Sequence, residues 1–254
     1  MYVSRSGRAS AVTGYARLVA VVARAERTPW ATVVAAVVLV LAAANVLTNR
    51  VLPGWIYIPW NVAVAVAIVV LARRVVTMPT MGLGEWRRGA LWGVSLFTIT
   101  LVLLLVAVAM PAFHDLYQDR RVDGGTATWV YHAFIRIPLG TALLEEVAFR
   151  GVLPALFAVR WGVLRGSVAA SVLFGVWHVL PAINLNEDNE AIAKIFGHGP
   201  AGTVATVVFG VAGTTLAGLW WCWIRYRAHS VLATVLAHIA TNSIAYTIAF
   251  VISR

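Results

Sequence analysis

Gly89–Met110 reads GALWGVSLFTITLVLLLVAVAM, 22 residues without one charge. As a helix rising 1.5 Å per residue it would be ~33 Å long, enough to cross the ~30 Å hydrocarbon core of a bilayer. The rest of the chain resembles it: 61% of its 254 residues are hydrophobic and 12% are charged. Soluble domains carry about 25% charged residues, so this chain lacks the charge to cover one or two soluble domains of its length. The same composition excludes a disordered protein and a collagen, and a single cysteine, Cys222, excludes a disulfide scaffold. No alternation in ~10-residue units marks a transmembrane barrel. The sequence specifies an all-α, polytopic integral membrane helical bundle.

Working outward from 89–110, six more stretches are long and apolar enough to span: 30–48, 56–72, 131–157, 164–181, 201–224 and 230–251. About seven transmembrane helices are therefore expected in a transmembrane domain over 29–254. A basic segment, 1–28, precedes it, and Val12, Tyr15, Val19 and Val22 recur there at helical intervals, as in an amphipathic helix over 11–27. The span at 131–157 is long and holds Arg136, Glu145, Glu146 and Arg150; it runs unbroken or divides near Gly151 and Pro154.

Orientation follows from arginine, which cytoplasmic loops retain. With the N-terminus inside, the inner segments hold 13 Arg and the outer ones five Lys or Arg. Asp115, Asp119, Asp123, Glu187, Asp188 and Glu190 then fall outside as solvated surface. This places the chain in a cytoplasmic membrane with a cytoplasmic N-terminus, and the strong preference for Arg over Lys suggests a bacterial source. Tryptophans such as Trp30, Trp55, Trp161, Trp220, Trp221 and Trp223 lie near span ends, as an interfacial belt would place them. The net charge of +10 is mostly this inner arginine, which suits anionic lipid. No nucleic-acid signature accompanies it. Cys222 reads as an interfacial packing residue.

Ionisable and strongly polar groups inside spans are costly and point to function by default. One histidine alone is as well explained by a helix–helix hydrogen bond. Two adjacent glutamates are not. Glu146 and Arg150 stand four apart and can pair on one helical face, while Glu145, about 100° round, is left to address a cavity. His238 and Asn242 share a face, as do Phe174 and His178. From the inner ends of their spans, Glu145 and His178 lie roughly 20 Å deep, Asn242 roughly 18 Å and His238 roughly 12 Å. Three spans thus bring complementary polar groups to a similar level. Carboxylate, imidazoles and carboxamide together can activate water and hold a developing oxyanion. With His238 nearest the inner end, the site is expected to open toward the cytoplasm or the inner leaflet.

These residues resemble the CAAX prenyl endopeptidase family (CPBP/Abi, the type II CAAX proteases). Glu145-Glu146-Val147-Ala148-Phe149-Arg150 fits its EExxxR motif, Phe174-Gly175-Val176-Trp177-His178 its FxxxH motif and His238-Ile239-Ala240-Thr241-Asn242 its HxxxN motif, in the family's order. The resemblance covers about 129–251. It implies a glutamate intramembrane endopeptidase, with Glu145 as the base that activates water and His178 positioning that water. His238 and Asn242 would form the oxyanion hole, and Glu146, Arg150 and Phe174 would support them. No metal or other cofactor is implied. The substrate would be a membrane-associated peptide or protein, lipidated (prenylated) or bacteriocin-like. Two other readings stay open. A zinc metalloprotease could use two histidines and a glutamate, although no HExxH helix is present. A non-catalytic scaffold or immunity protein of the same family would carry the same motifs.

Overall fold

The computed structural model describes residues 29–111, 117, 122, 124–252 and 254. The basic segment 1–28, with its amphipathic-helix reading, and Asp115, Asp119 and Asp123 lie outside those residues. The described residues are helical, without a strand. Three spans come first: α1 (Trp30–Arg50), α2 (Tyr57–Ala72) and α3 (Trp86–Ala109).

Six continuous segments qualify as membrane spans, and the fourth, Thr126–Ala182, has 57 residues. Straight, it would be ~85 Å long, far beyond one bilayer. It folds back at Gly162, whose φ of 75° and ψ of 168° are not helical; such a φ is open to glycine and strained for other residues. The halves, α4 (126–161) and α5 (163–177), pack so closely that a Cβ on Gly166 would lie 2.9 Å from Ala158 N. Two of the seven expected spans are thus one hairpin. The division near Gly151 and Pro154 does not occur, and helix continues through both residues. Short helical turns cover 179–196, then α6 (Gly199–Ala228) and α7 (Val231–Ile252) complete the bundle.

Small residues set the close contacts, as expected where lipid competes for every apolar face. Gly89 and Gly93, one turn apart on α3, meet Ser230, which caps the start of α7, and Leu232 and Leu236 within it. Gly175 on α5 faces Thr215 and the Val211 carbonyl of α6, and Gly218 on α6 faces Ser171. Cys222 packs, buried, in that second contact, its Sγ 3.7 Å from the Phe149 carbonyl. Outside the core, His198 Nδ1 lies 3.0 Å from Glu187 Oε2, and Glu187 Oε1 accepts from Gly199 N at 2.7 Å. That carboxylate therefore ties the loop to the first turn of α6, where helical N–H groups lack partners.

The helices are widened where the polar residues sit. Turns of the π type run over His132–Ala142 and Val147–Val152 in α4 and over Ala240–Ile244 in α7. Pro138 supplies a local reason in α4: it has no N–H to give to the preceding turn. Each widened turn alters the phase of the residues after it, and together they flank Glu145-Glu146 and overlap His238–Asn242.

Candidate active site

The structure brings Glu145, Glu146, Arg150, Phe174, His178, His238 and Asn242 together, from α4, α5 and α7. Glu146 is fully buried, and its carboxylate is held from two sides. Arg150 Nε lies 3.3 Å from Oε2, and His238 Nδ1 lies 2.8 Å from Oε1. The Arg150 guanidinium sits 3.8 Å from the centre of the Phe174 ring and 4.9 Å from that of Trp221. A buried charge needs such partners, because removal from water costs several kcal/mol per ion. Trp221 also packs edge-on against His238 at 5.1 Å and so belongs to the site.

Glu145 faces the other way, into a cavity of about 610 Å³. Its Oε1 accepts from Trp177 Nε1 at 3.0 Å. Its Oε2 has no hydrogen-bond partner and stands 4.0 Å from His178 Nε2 and 3.9 Å from His238 Nε2. Those separations exceed direct hydrogen bonds and suit one water bridging carboxylate and imidazoles. His178 is aimed by its other nitrogen, 2.8 Å from the Phe174 carbonyl, and by edge-on contact with the Phe174 ring at 4.5 Å. Asn242 Nδ2 lies 2.9 Å from His238 Nε2. A carboxylate with a free oxygen, two imidazoles beside it and a carboxamide can together take a proton from water and stabilise an oxyanion. Among the described residues, no group of three or more His, Cys, Asp or Glu side chains is arranged to hold a metal ion.

Residues 127–244 match the family model for type II CAAX prenyl endopeptidases, Rce1-like. The chain therefore carries an Rce1-like domain over these residues. The Rce1-like domain takes in α4 to α7 up to Ile244, and with them all three motifs, whereas α1 to α3 lie outside the match. The family is one of proteases, and the six apolar segments make the chain an integral membrane protein. No curated protein and no solved structure shows a significant match.

Helices outside the Rce1-like domain complete the cavity. Asn61 of α2 donates to the Gly140 carbonyl at 2.7 Å, and Tyr57 Oη lies 2.9 Å from Thr141 Oγ1. Asn45 of α1 donates to the Trp177 carbonyl at 3.0 Å. The motifs do not reveal these residues. Asn45 and Asn61 nevertheless carried a signal, being carboxamides inside apolar spans, the rule that picked out the glutamates. Trp177 and Tyr57 carried none that separates them from an interfacial aromatic.

The cavity reaches the surface beside Thr48, Asn49, Leu180 and Pro181. The arginine-rich turns gather at the opposite end: Arg88 donates to the Arg227 carbonyl at 2.7 Å, Arg225 hydrogen-bonds the Thr80 carbonyl, and Arg160 lies 6.0 Å from the Trp30 ring. The expected opening toward the arginine-rich inner end is therefore reversed. Depth along α7 locates His238, but the gap between the ends of α1, α2 and α5 decides where the cavity opens.

Proposed function

We propose that this protein is an intramembrane endopeptidase that hydrolyses a peptide bond of a membrane-associated substrate with water activated by Glu145. The observation that carries this reading is the free Glu145 Oε2 standing about equally far from the two Nε2 atoms, 3.9 and 4.0 Å. Water held there gives one proton to Glu145 as its oxygen attacks the carbonyl carbon of the scissile bond. The carbonyl oxygen becomes an oxyanion, which the Asn242 carboxamide and a protonated His238 Nε2 receive; Glu146 at Nδ1 balances the imidazolium charge. Collapse of the tetrahedral intermediate breaks the C–N bond, and Glu145 returns the proton to the leaving nitrogen.

No metal enters this mechanism. His238 Nδ1 is engaged by Glu146 and His178 Nδ1 by the Phe174 carbonyl, and the mechanism gives both Nε2 atoms to the water and the oxyanion. Among the described residues, no group of three or more His, Cys, Asp or Glu side chains is arranged for the three protein ligands usual in catalytic zinc sites. The test is cleavage of lipid-embedded and prenylated peptides by purified protein beside Glu145→Gln, with metal content measured on the same samples. Stoichiometric zinc whose removal abolishes cleavage would replace this mechanism with a metalloprotease.

An apolar groove of about 290 Å³, lined by Val38, Leu41, Phe149, Leu153 and Leu173, shares Trp177 and Leu180 with the catalytic cavity. An apolar slot that shares a wall with the polar cavity favours a lipidated substrate, its chain in the groove and its peptide beside Glu145.

The N-terminus is proposed to be cytoplasmic, from the arginine distribution, in a bacterial cytoplasmic membrane. The cavity then opens on the non-cytoplasmic face. Asn49→Cys or Pro181→Cys, at the exposed mouth, is expected to react with an impermeant thiol reagent added outside cells. Labelling only after the cytoplasmic face is exposed would reverse the orientation. The native Cys222 is buried and contributes little background.

A further inference from the structure

Glu145 has two oxygens, and hydrolysis needs one of them held at the water. The terminal torsion of a glutamate is broad and lets its two oxygens trade places, so the side chain alone does not decide which of them faces the imidazoles. Among the described residues, one hydrogen-bond donor reaches the carboxylate: Trp177 Nε1, 3.0 Å from Oε1. A bond to one oxygen stops that exchange. It leaves Oε2 beside His178 Nε2 and His238 Nε2, at 4.0 and 3.9 Å.

The indole is in turn held from α1. Trp177 is the last residue of α5, and the N–H that would close the next helical turn onto its carbonyl belongs to position 181, a proline. A carbonyl left so within a span needs another donor. Asn45 Nδ2 supplies it at 3.0 Å. Asn45 is buried, and its carboxamide is oriented in its turn, because Oδ1 accepts from Asn49 Nδ2 at 2.7 Å. Phe149, one turn beyond Glu145 on α4, braces the indole edge-on at 5.5 Å. Trp177 therefore joins α1 to the base: its backbone takes Asn45, and its side chain gives an N–H to the carboxylate.

We propose that Trp177, anchored by Asn45, is a positioning residue that presents Glu145 Oε2 to the attacking water. The inference rests on the endopeptidase reading and adds to it a part for α1, which lies outside the family match over 127–244. Both residues act through Glu145, so a fault in either slows the chemical step and spares substrate binding.

The test is hydrolysis of a fluorogenic farnesylated peptide by protein in nanodiscs, with kcat and KM measured separately and well below the thermal midpoint of each variant. Trp177→Phe keeps a ring against Phe149 and removes the N–H. Its kcat is expected to fall by about tenfold or more, as for a displaced catalytic group, with KM within about twofold of wild type. Asn45→Leu keeps the N–H and removes its anchor, and kcat is expected to fall by about three- to tenfold. Because Asn45 acts through that N–H, adding Asn45→Leu to Trp177→Phe should cost less than about twofold more. Two residues that only support the fold would multiply their losses and move KM as well. A second measurement needs no turnover: the indole N–H resonance of Trp177, identified in NMR spectra by its loss in Trp177→Phe, is expected to shift in Glu145→Gln and in Asn45→Leu.

Undiminished kcat in Trp177→Phe, a loss carried mainly by KM, multiplied losses in the double variant, or an indole resonance unmoved by Asn45→Leu overturns the proposal. Failure of the endopeptidase reading shows differently, as no hydrolysis by wild type or as undiminished hydrolysis by Glu145→Gln, and it takes this role with it.

Discussion

Glu145→Gln is expected to lower peptide hydrolysis by about 10²- to 10⁴-fold, the usual contribution of a general base, while leaving the protein folded. Glutamine keeps the side chain's shape, and its carbonyl can still accept from Trp177 Nε1, now 3.0 Å from Oε1. What is lost is the second oxygen, which no protein group hydrogen-bonds and which would take the proton from water. Folding owes little to an oxygen without a protein partner, so thermal midpoints of wild type and variant should agree within about 2 °C. Kinetics on reconstituted protein and a thermal melt of the same preparation read both halves. Retained hydrolysis would remove Glu145 from the chemistry. If instead the variant supports the protein's cellular role in full, catalysis is not that role, and a scaffold or immunity function takes its place.

The neighbouring substitution should behave in the opposite way. Glu146→Gln removes the counter-ion from Arg150, 1% exposed, and from His238 at 2.8 Å. Taking one partner from a buried ion pair costs about 3–5 kcal/mol, because the remaining charge is left uncompensated. In a chain of this size each kcal/mol shifts the midpoint by roughly 2–4 °C, so a loss on the order of 10 °C is expected in a thermal melt. Hydrolysis should fall as well, since Glu146 holds Nδ1 of His238. The double variant Glu146→Gln/Arg150→Met removes both charges and should melt above Glu146→Gln alone. A midpoint within about 2 °C of wild type for Glu146→Gln would show that the pair does not carry the fold.

This contrast between adjacent glutamates shows how far sequence reasoning reaches. The spacing of four between Glu146 and Arg150 placed them on one face, and the structure has them 3.3 Å apart. Their neighbour, about 100° round, faces the cavity. Helical periodicity suffices here because both facts are local to α4. The same reasoning located His178, His238 and Asn242 at related depths, but distance along each helix left their mutual geometry open.

The Gly162 turn lay outside such reasoning. Hydropathy separates 131–157 from 164–181 but cannot show that the two remain one helical hairpin, since the backbone turn depends on a single residue's φ. Trp177 was hidden for another reason: tryptophan near a span end is ordinary in membrane proteins, and only its 3.0 Å approach to Glu145 distinguishes it.

From sequence alone came membrane residence, the all-α class, the placement of most spans and the residues of three motifs, because hydropathy and the 3.6-residue period are properties of each segment by itself. The tertiary structure decided which oxygen of Glu145 is free, that α1 and α2 close the cavity and that its mouth lies opposite the turns that hold Arg88, Arg160, Arg225 and Arg227. Those facts depend on which faces meet across many tens of residues, and packing settles them through small residues, widened turns and one glycine hairpin.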